Sequence, residues 1–245
     1  MIDPIAFTIF GHPIRWYGIY YALGFLISYF FIQHLGKIHR FDKEKLENVF
    51  LYFMIFSVLG GRLGEIIFYD IAYYSSNLLQ IFAVWKGGMS IHGGIIGGGL
   101  TLLYFSRKYK WNFLKLTDMF VIPGAAGLAF GRLANFVNQE LVGKVTNSSL
   151  GVVFPLYDDQ TRWPSTLFES AKNMFTFQVL LYLEYFKELK PGIISAWFLI
   201  LYSFGRFFVN YFREPQIDFI IFSMGQLLSL IFGIFGLWLL HKISK

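Results

Sequence analysis

Seven long apolar stretches run through the chain, at about 16–36, 49–69, 88–106, 117–138, 166–186, 192–212 and 222–241. Each approaches the roughly 20 residues that an α-helix needs to cross the hydrocarbon of a bilayer. Polar residues gather between them unevenly. Short connections rich in lysine and arginine follow the first, third and fifth stretches. The connection after the fourth, about 139–165, is longer and holds Thr146-Asn147-Ser148-Ser149 and Tyr157-Asp158-Asp159, which favour turns. The pattern predicts an all-α polytopic membrane protein with about seven transmembrane helices and a small head between helices four and five. Residues 1–245 read as a single integral membrane domain. Another connection, about 70–87, follows Tyr69 and carries Tyr73, Tyr74 and Trp85, which predicts a segment lying along the membrane surface.

The basic residues orient these helices, because cytoplasmic loops carry an excess of lysine and arginine. One side has twelve: Lys37, Arg40, Lys43, Lys45, Arg107, Lys108, Lys110, Lys115, Lys187, Lys190, Lys242 and Lys245. The other has five: Arg15, Lys86, Lys144, Arg162 and Arg213. The C-terminus is therefore expected in the cytoplasm, with the N-terminus and the head outside. The first 15 residues lack a basic start and a small-residue cleavage site, so no cleavable signal peptide is expected.

Composition narrows the chemistry. Hydrophobic residues make up 56% and charged residues only 15% of the chain, against about 25% charged in soluble domains. There is no cysteine, so disulfides, thiolate metal sites and a cysteine nucleophile are excluded, and any reacting thiol must come from a partner. No metal and no cofactor are expected. The net charge of +6 reads as a topology signal, because the basic residues lie in short loops beside apolar helices, and no nucleic-acid partner is expected. Gly93, Gly94, Gly97, Gly98 and Gly99 predict close packing of helix three. Gly60-Gly61-Arg62-Leu63 and Gly131-Arg132-Leu133 are alike, but their flanks do not sustain a repeat.

Four basic residues fall within the apolar stretches: Arg62, Arg132, Lys172 and Arg206. Arg62 has Glu65 three residues on, a pair that suits a structural role. Lys172 is close enough to a helix end to snorkel. Topology gathers the other polar residues at the outer helix ends: Tyr17, Ser90, His92, Arg132, Asn135, Asn138, Glu140, Ser165, Glu169, Arg206, Asn210 and Gln226. That convergence predicts one polar cavity open to the outer leaflet. Arg132 and Arg206 have no obvious acidic neutraliser in sequence, which suggests an anionic ligand, and guanidinium groups bind phosphate bidentately. A polar helix end that merely snorkels is the plainer alternative. His92 is open between a structural and a chemical role.

The stretch Gly131-Arg132-Leu133-Ala134-Asn135-Phe136-Val137-Asn138-Gln139-Glu140-Leu141-Val142-Gly143 resembles the signature of prolipoprotein diacylglyceryl transferases. The family pattern is Gly-Arg-x-(Gly or Ala)-Asn-Phe-hydrophobic-Asn-x-Glu-x-x-Gly, and every fixed position is present. Arg15-Trp16-Tyr17-Gly18, Gly87-Gly88-Met89-Ser90-Ile91-His92-Gly93-Gly94, Pro164-Ser165-x-Leu167-x-Glu169 and Ser223-Met224-Gly225-Gln226 resemble further blocks of that family, in order along the chain. The resemblance implies a multi-pass enzyme of the plasma (inner) membrane, acting as a monomer. Its substrates would be phosphatidylglycerol and the lipobox cysteine of a prolipoprotein signal peptide. A thioether would form and glycerol phosphate would leave. His92 would be the candidate base, Arg132 and Arg206 would stabilise the departing phosphate, and Asn135 and Glu140 would orient them. Tyr17 would contact the head group, Asn138, Glu169 and Asn210 would line the substrate site, and Gly143 would permit a tight turn into the head.

The chain departs from the family pattern in one region. Asn210 stands where a glutamate is common, four residues after Arg206, so Arg206 is expected to have a neutral neighbour. Trp163 replaces a histidine and Phe168 a tyrosine. These changes bear on activity and substrate preference, and they leave a second reading, a lipid-binding relative without turnover. A small-solute transporter is a third, weakened by the one-sided placement of the polar residues.

Overall fold

The computed structural model describes residues 3–83, 88–214, 218–219 and 222–245. Apart from a short α3 in the connection after the second, its helices lie on the apolar stretches: α1 (Trp16–Ile38), α2 (Lys43–Phe68), α3 (Ile71–Ser76), α4 (Ile91–Tyr109), α5 (Phe113–Val137), α6 (Ser165–Phe186), α7 (Ile193–Val209) and α8 (Met224–Ser244). Among the described residues five are long and apolar enough to cross a membrane: α1, α2, α5, the Ile193–Phe212 helix that α7 forms with its 3-10 end, and Gly225–Ser244 within α8. α4 and α6 are more polar. α4 has five glycines, His92 and a basic last turn, while α6 carries Glu169, Lys172 and Asn173 in its first half.

α2 and α5 start earlier than the apolar runs suggest, because polar caps extend them. α2 starts at Lys43, where the Asp42 side chain accepts from the Lys45 N–H at 2.9 Å. Asn112 accepts from Lys115 N–H in the same way at 3.0 Å. Lys43, Lys45 and Lys115 are therefore helical rather than in loops.

Short antiparallel ribbons accompany the helices. β1 (Ile5–Ile9) pairs with β2 (His12–Arg15) ahead of α1. Their turn residues, Phe10 and Gly11, both have positive φ (48° and 80°), as two-residue hairpin turns of the favoured hand require. β3 (Val152–Val153) pairs with β4 (Thr161–Arg162), and β5 (Asp218–Phe219) with β6 (Phe222–Ser223).

The chain groups into two compact units, residues 1–32 with 118–245, and residues 33–117. In the first, the N-terminus of α7 is held from α5. The buried Asp118 carboxylate accepts from the N–H groups of Gly192 (2.6 Å) and Ser195 (2.7 Å) and from the Ser195 hydroxyl (2.6 Å). This carboxylate satisfies donors that a helix start leaves without intrahelical acceptors. Asp118→Ala is expected to destabilise the protein by about 3 kcal/mol or more, since buried donors left without an acceptor cost about 1–3 kcal/mol each. Thermal unfolding in detergent measures it, and an unchanged midpoint would contradict the role.

The head between α5 and α6 belongs to the same unit. The strand-like stretch at 142–146 lies between two others. Gly143 N–H donates to Trp163 O (3.1 Å), Trp163 N–H to Lys144 O (3.0 Å), Lys144 N–H to Phe212 O (3.0 Å) and Thr146 N–H to Thr161 O (2.9 Å). Arg162, buried, donates to Asp158, to Glu214 at 2.7 Å and to the Gly143 carbonyl at 3.0 Å. Its guanidinium holds the Asp158 carboxyl below the usual carboxylate range. Phe154, 1% exposed, anchors the head against Phe136 of α5.

The second unit is built on backbone approach between α2 and α4. A Cβ on Gly93 would overlap the Gly60 carbonyl, one on Gly97 the Phe56 carbonyl, and one on Gly64 would lie 2.8 Å from Gly93 Cα. Small residues at these positions let the helices meet. Buried Arg62 donates to the carbonyls of Gln80, Ile81 (3.0 Å), Ala83 (3.4 Å) and Gly88 (2.9 Å), and lies 4.9 Å from the Tyr74 ring centre. Glu65 stays within its electrostatic reach, but Arg62 chiefly ties down the segment between α2 and α4. In that segment α3 and a 3-10 turn at Leu78–Phe82 expose Ile71, Tyr73, Leu78, Leu79 and Phe82, while Tyr74 is buried. Trp85 and Lys86 lie outside the described residues.

Candidate functional site

The C-terminal end of α5 carries the signature residues. Arg132 and Asn135, three apart, share a face, and Arg132 Nη1 lies 3.4 Å from Asn135 Oδ1. Asn135 Nδ2 donates to Glu140 Oε2 and Asn138 Nδ2 to Glu140 Oε1, each at 3.1 Å. The two asparagines thus hold the Glu140 carboxylate, and Asn135 links it to the arginine. Past Val137 the chain leaves the helix through Gln139 (φ 58°) and Leu141 (φ 54°). These two residues make the turn that had been expected at Gly143, which does not have positive φ. Gly143 is instead required by close approach: an added Cβ would overlap the Trp163 carbonyl oxygen and lie 2.6 Å from that of Phe212. Gly143→Ala should therefore destabilise by about 1–3 kcal/mol, the usual cost of overpacking. A thermal midpoint equal to that of the parent protein would contradict this.

The centre of the site is Glu169, in the second turn of α6 and 2% exposed. Arg132 Nε is 2.5 Å from its Oε2. Its Oε1 accepts from Arg206 of α7 and lies 3.3 Å from Arg213 Nη1. Three guanidinium groups from three parts of the chain share this one carboxylate. The expectation that Arg132 and Arg206 lack an acidic neutraliser is corrected: the carboxylate comes from α6, a long-range neighbour. Arg206, expected to have Asn210 as a neutral neighbour, thus has a carboxylate partner in Glu169. α7 ends at Val209, and Asn210 opens a 3-10 turn in which its carbonyl accepts from Arg213 N–H at 3.2 Å.

Arg213 itself was counted among loop charges. Its spacing from Arg206, with Asn210 between, continues a helical stripe of i, i+4, i+7, and that signal marks it as a cluster member. Lys172 does not reach a helix end. Its Nζ donates to Asn173 Oδ1 at 2.8 Å and lies 3.8 Å from the Tyr202 ring centre.

Tyr17, at the start of α1, donates to the Tyr21 hydroxyl at 3.3 Å and packs on its ring with centres 4.7 Å apart. A Cβ on Gly131 would be 3.3 Å from the Tyr21 hydroxyl, so the tyrosine pair lies against the Arg132 turn, and Tyr17 is within electrostatic reach of Arg132 and Glu140. The Ser165 hydroxyl donates to Leu141 O at 3.1 Å, tying the start of α6 to the end of the signature. Trp163, Phe168 and Phe212 form an aromatic trio with ring centres 5.3–6.0 Å apart. The structure thus brings Tyr17, Arg132, Asn135, Asn138, Glu140, Gly143, Glu169, Arg206 and Asn210 into one unit.

His92 belongs to the other unit. It is 5% exposed in the first turn of α4, whose start is capped by the Ser90 hydroxyl accepting from Gly93 N–H at 3.4 Å. Ser90 N–H in turn donates to Gly61 O at 2.8 Å. Gly87 and the side chains of Ser223 and Met224 lie outside the described residues, while Gln226 is buried.

Chemically, three cations around one buried carboxylate form a site with excess positive charge, lined by planar donors. Such a site takes an anion with several acceptor oxygens, and phosphate matches that donor set. Among the described residues no group of three or more histidine, aspartate or glutamate side chains could hold a metal ion.

The family model for prolipoprotein diacylglyceryl transferase matches residues 4–242. A phosphatidylglycerol–prolipoprotein diacylglyceryl transferase of Ehrlichia ruminantium (strain Welgevonden) is 38% identical over 249 residues, covering 98% of this chain and 96% of the relative. The enzyme of the same name from Rickettsia bellii (strain OSU 85-389) is 40% identical over 252 residues, covering 98% and 95%. That of Geobacter sulfurreducens is 37% identical over 250 residues, covering 100% and 96%.

Proposed function

The chain belongs to the prolipoprotein diacylglyceryl transferase family, and from that premise we propose how its residues carry out the reaction. The enzyme transfers the diacylglyceryl group of phosphatidylglycerol to the lipobox cysteine of a prolipoprotein. The observation that carries the residue assignment is the sharing of the Glu169 carboxylate by Arg132, Arg206 and Arg213. The lipid phosphate joins this cluster and is held by the same guanidinium groups.

The precursor's sulfur attacks the glycerol carbon that bears the phosphate ester. A carbon–sulfur bond forms, the carbon–oxygen bond breaks, and its electron pair leaves on the oxygen of glycerol phosphate. Negative charge grows on that oxygen in the transition state, where preorganised cations act most strongly. Glu169 holds the guanidiniums in place before the lipid arrives, and Asn135 with Glu140 fixes the orientation of Arg132. Asn138 supports the same carboxylate, and Tyr17 with Asn210 contacts the glycerol head group. A free thiol has a pKa near 8.5, so most of it is protonated at neutral pH. His92 accepts that proton. His92→Ala should slow transfer about a hundred- to ten-thousand-fold with the fold intact. Labelled phosphatidylglycerol and a lipobox peptide measure it, and near-normal transfer would remove His92 from the chemistry.

Seven spans with an outside N-terminus, a cytoplasmic C-terminus and an outer head complete the proposal. α4, packed on α2, and α6, packed on α7, cross as the two polar spans, and a monomer suffices. The support is the basic asymmetry of the connections. Cysteines placed at Lys43 and Asp158 should label from opposite faces of the membrane. Labelling from one face would overturn this topology.

A further inference from the structure

Lys172 is a cation that takes no part in the transfer chemistry. It is half-buried in α6, three residues after Glu169 and so on the same face, about 4.5 Å further from the head along the axis. Its stem lies across α7 at Gly205, where an added Cβ would be 2.5 Å from Lys172 Cδ. Its Nζ donates to Asn173 Oδ1 at 2.8 Å and sits 3.8 Å from the Tyr202 ring centre. Among the described residues no carboxylate is its partner, and the charge within its electrostatic reach is Arg132, of the same sign. An ionisable group inside a membrane helix is costly, and one that no opposite charge satisfies marks a ligand. A second polar group lies at the same level. Ser203 is three residues before Arg206 on α7, buried, and its hydroxyl meets no hydrogen-bond partner among the described residues. Lys172 and Ser203 thus form a tier of donors one helical turn further from the head than the Glu169 cluster.

We propose that Lys172 and Ser203 hold the ester carbonyl oxygens of the lipid's glycerol backbone, and so make the enzyme specific for ester-linked over ether-linked lipid. The proposal rests on the transferase reading above. With its phosphate at the arginines, the lipid runs its acyl chains along the spans, away from the head. The ester carbonyls lie a few bonds from the phosphate on that path, which brings them to the level of Lys172 and Ser203. Each carbonyl is an acceptor, and entering the protein strips its water, so it needs a donor there. The tier supplies two. The Lys172 ammonium has three donors, of which Asn173 takes one, and the Ser203 hydroxyl has one that meets no acceptor. Both esters pass unchanged into the thioether product, and no charge develops on them. Contacts to them therefore hold substrate and transition state alike, which lowers KM and leaves kcat as it is. Lys172 and Ser203 are in this sense binding residues and not catalytic ones.

The test compares diester phosphatidylglycerol with its diether analogue of equal chain length, using the full-length protein in detergent and a lipobox peptide. The diether keeps the phosphate, the head group and the chains, and lacks both carbonyls. The parent protein should favour the diester by about tenfold or more in kcat/KM, through KM, the scale of a charge-assisted hydrogen bond. Lys172→Met keeps a stem against Gly205 and removes the donor. It should raise the diester KM about tenfold and hardly alter the diether KM, because the two losses act on one contact and do not add. Ser203→Ala should act the same way by about threefold, a neutral donor being weaker. It removes a hydroxyl that holds nothing in the free protein, so it folds and tests the tier even where Lys172→Met does not. A parent protein that uses both lipids equally well would overturn the proposal. So would folded variants that keep the parent's preference, or that lose kcat on both lipids alike, which marks a structural or catalytic role. Transfer from neither lipid by the folded parent protein would bring down the transferase reading and the proposal with it.

Discussion

Glu169→Ala is expected to destabilise the protein by about 3–5 kcal/mol, the range for removing one partner from a buried charged network. Arg132, Arg206 and Arg213 all lie against this carboxylate, and Glu169 is 2% exposed. Without it, guanidiniums brought together in a poorly solvated site repel one another. Glu169→Gln keeps an acceptor oxygen and should fall between the parent and the alanine variant. Added phosphatidylglycerol should recover part of the lost stability in Glu169→Ala, because its phosphate supplies the missing negative charge. An uncharged diacylglycerol should not. Thermal unfolding in detergent, with and without each lipid, gives the answer. A Glu169→Ala protein as stable as its parent, or stabilised equally by both lipids, would mean that the arginines are satisfied elsewhere.

The second large effect is kinetic. Arg132→Lys should reduce transfer about a hundred- to a thousand-fold, the loss typical of removing a charge-stabilising donor at a reacting centre. Lysine preserves the charge beside Glu169, so the fold should survive. It loses the planar fork that places Nε on Glu169 while leaving other donors for phosphate. Arg62→Lys separates structure from chemistry. Arg62 donates to carbonyls of Gln80, Ile81, Ala83 and Gly88, which one ammonium group cannot span. That variant should lose stability but keep the turnover of each folded molecule. Equal kinetic losses at matched amounts of folded protein would reject the assignment of Arg132 to the lipid phosphate.

The helices were legible because an apolar run of membrane length has few alternatives to a helix. The starts of two were not, because Asp42 and Asn112 extend α2 and α5 through charged residues that resemble loops. The hairpin before α1 escaped a reading tuned to long runs, although the left-handed Phe10–Gly11 turn occupies only two residues.

Charge bias and spacing put Arg132, Arg206 and Glu169 into one expected polar set, and the structure joins these three. What spacing could not show was that Glu169 is the common partner, since its contacts to Arg206 and Arg213 span 37 and 44 residues. A search confined to neighbours on one helix left Arg206 with Asn210, a neutral side chain. Asp118 was missed for the same reason, with its acceptors' donors 74 and 77 residues away. Gly143 was expected to make a tight turn, but its constraint is two neighbouring backbones and not its own φ.

The most direct measurement of the central claim follows both products of one reaction. Purified protein is incubated with phosphatidylglycerol labelled in its head group and with a lipobox peptide, and the peptide is weighed by mass spectrometry. The account predicts a peptide heavier by one diacylglyceryl group on its cysteine sulfur, and one released glycerol phosphate for each peptide modified. Folded protein that binds the lipid yet releases no glycerol phosphate and leaves the cysteine unmodified would contradict it.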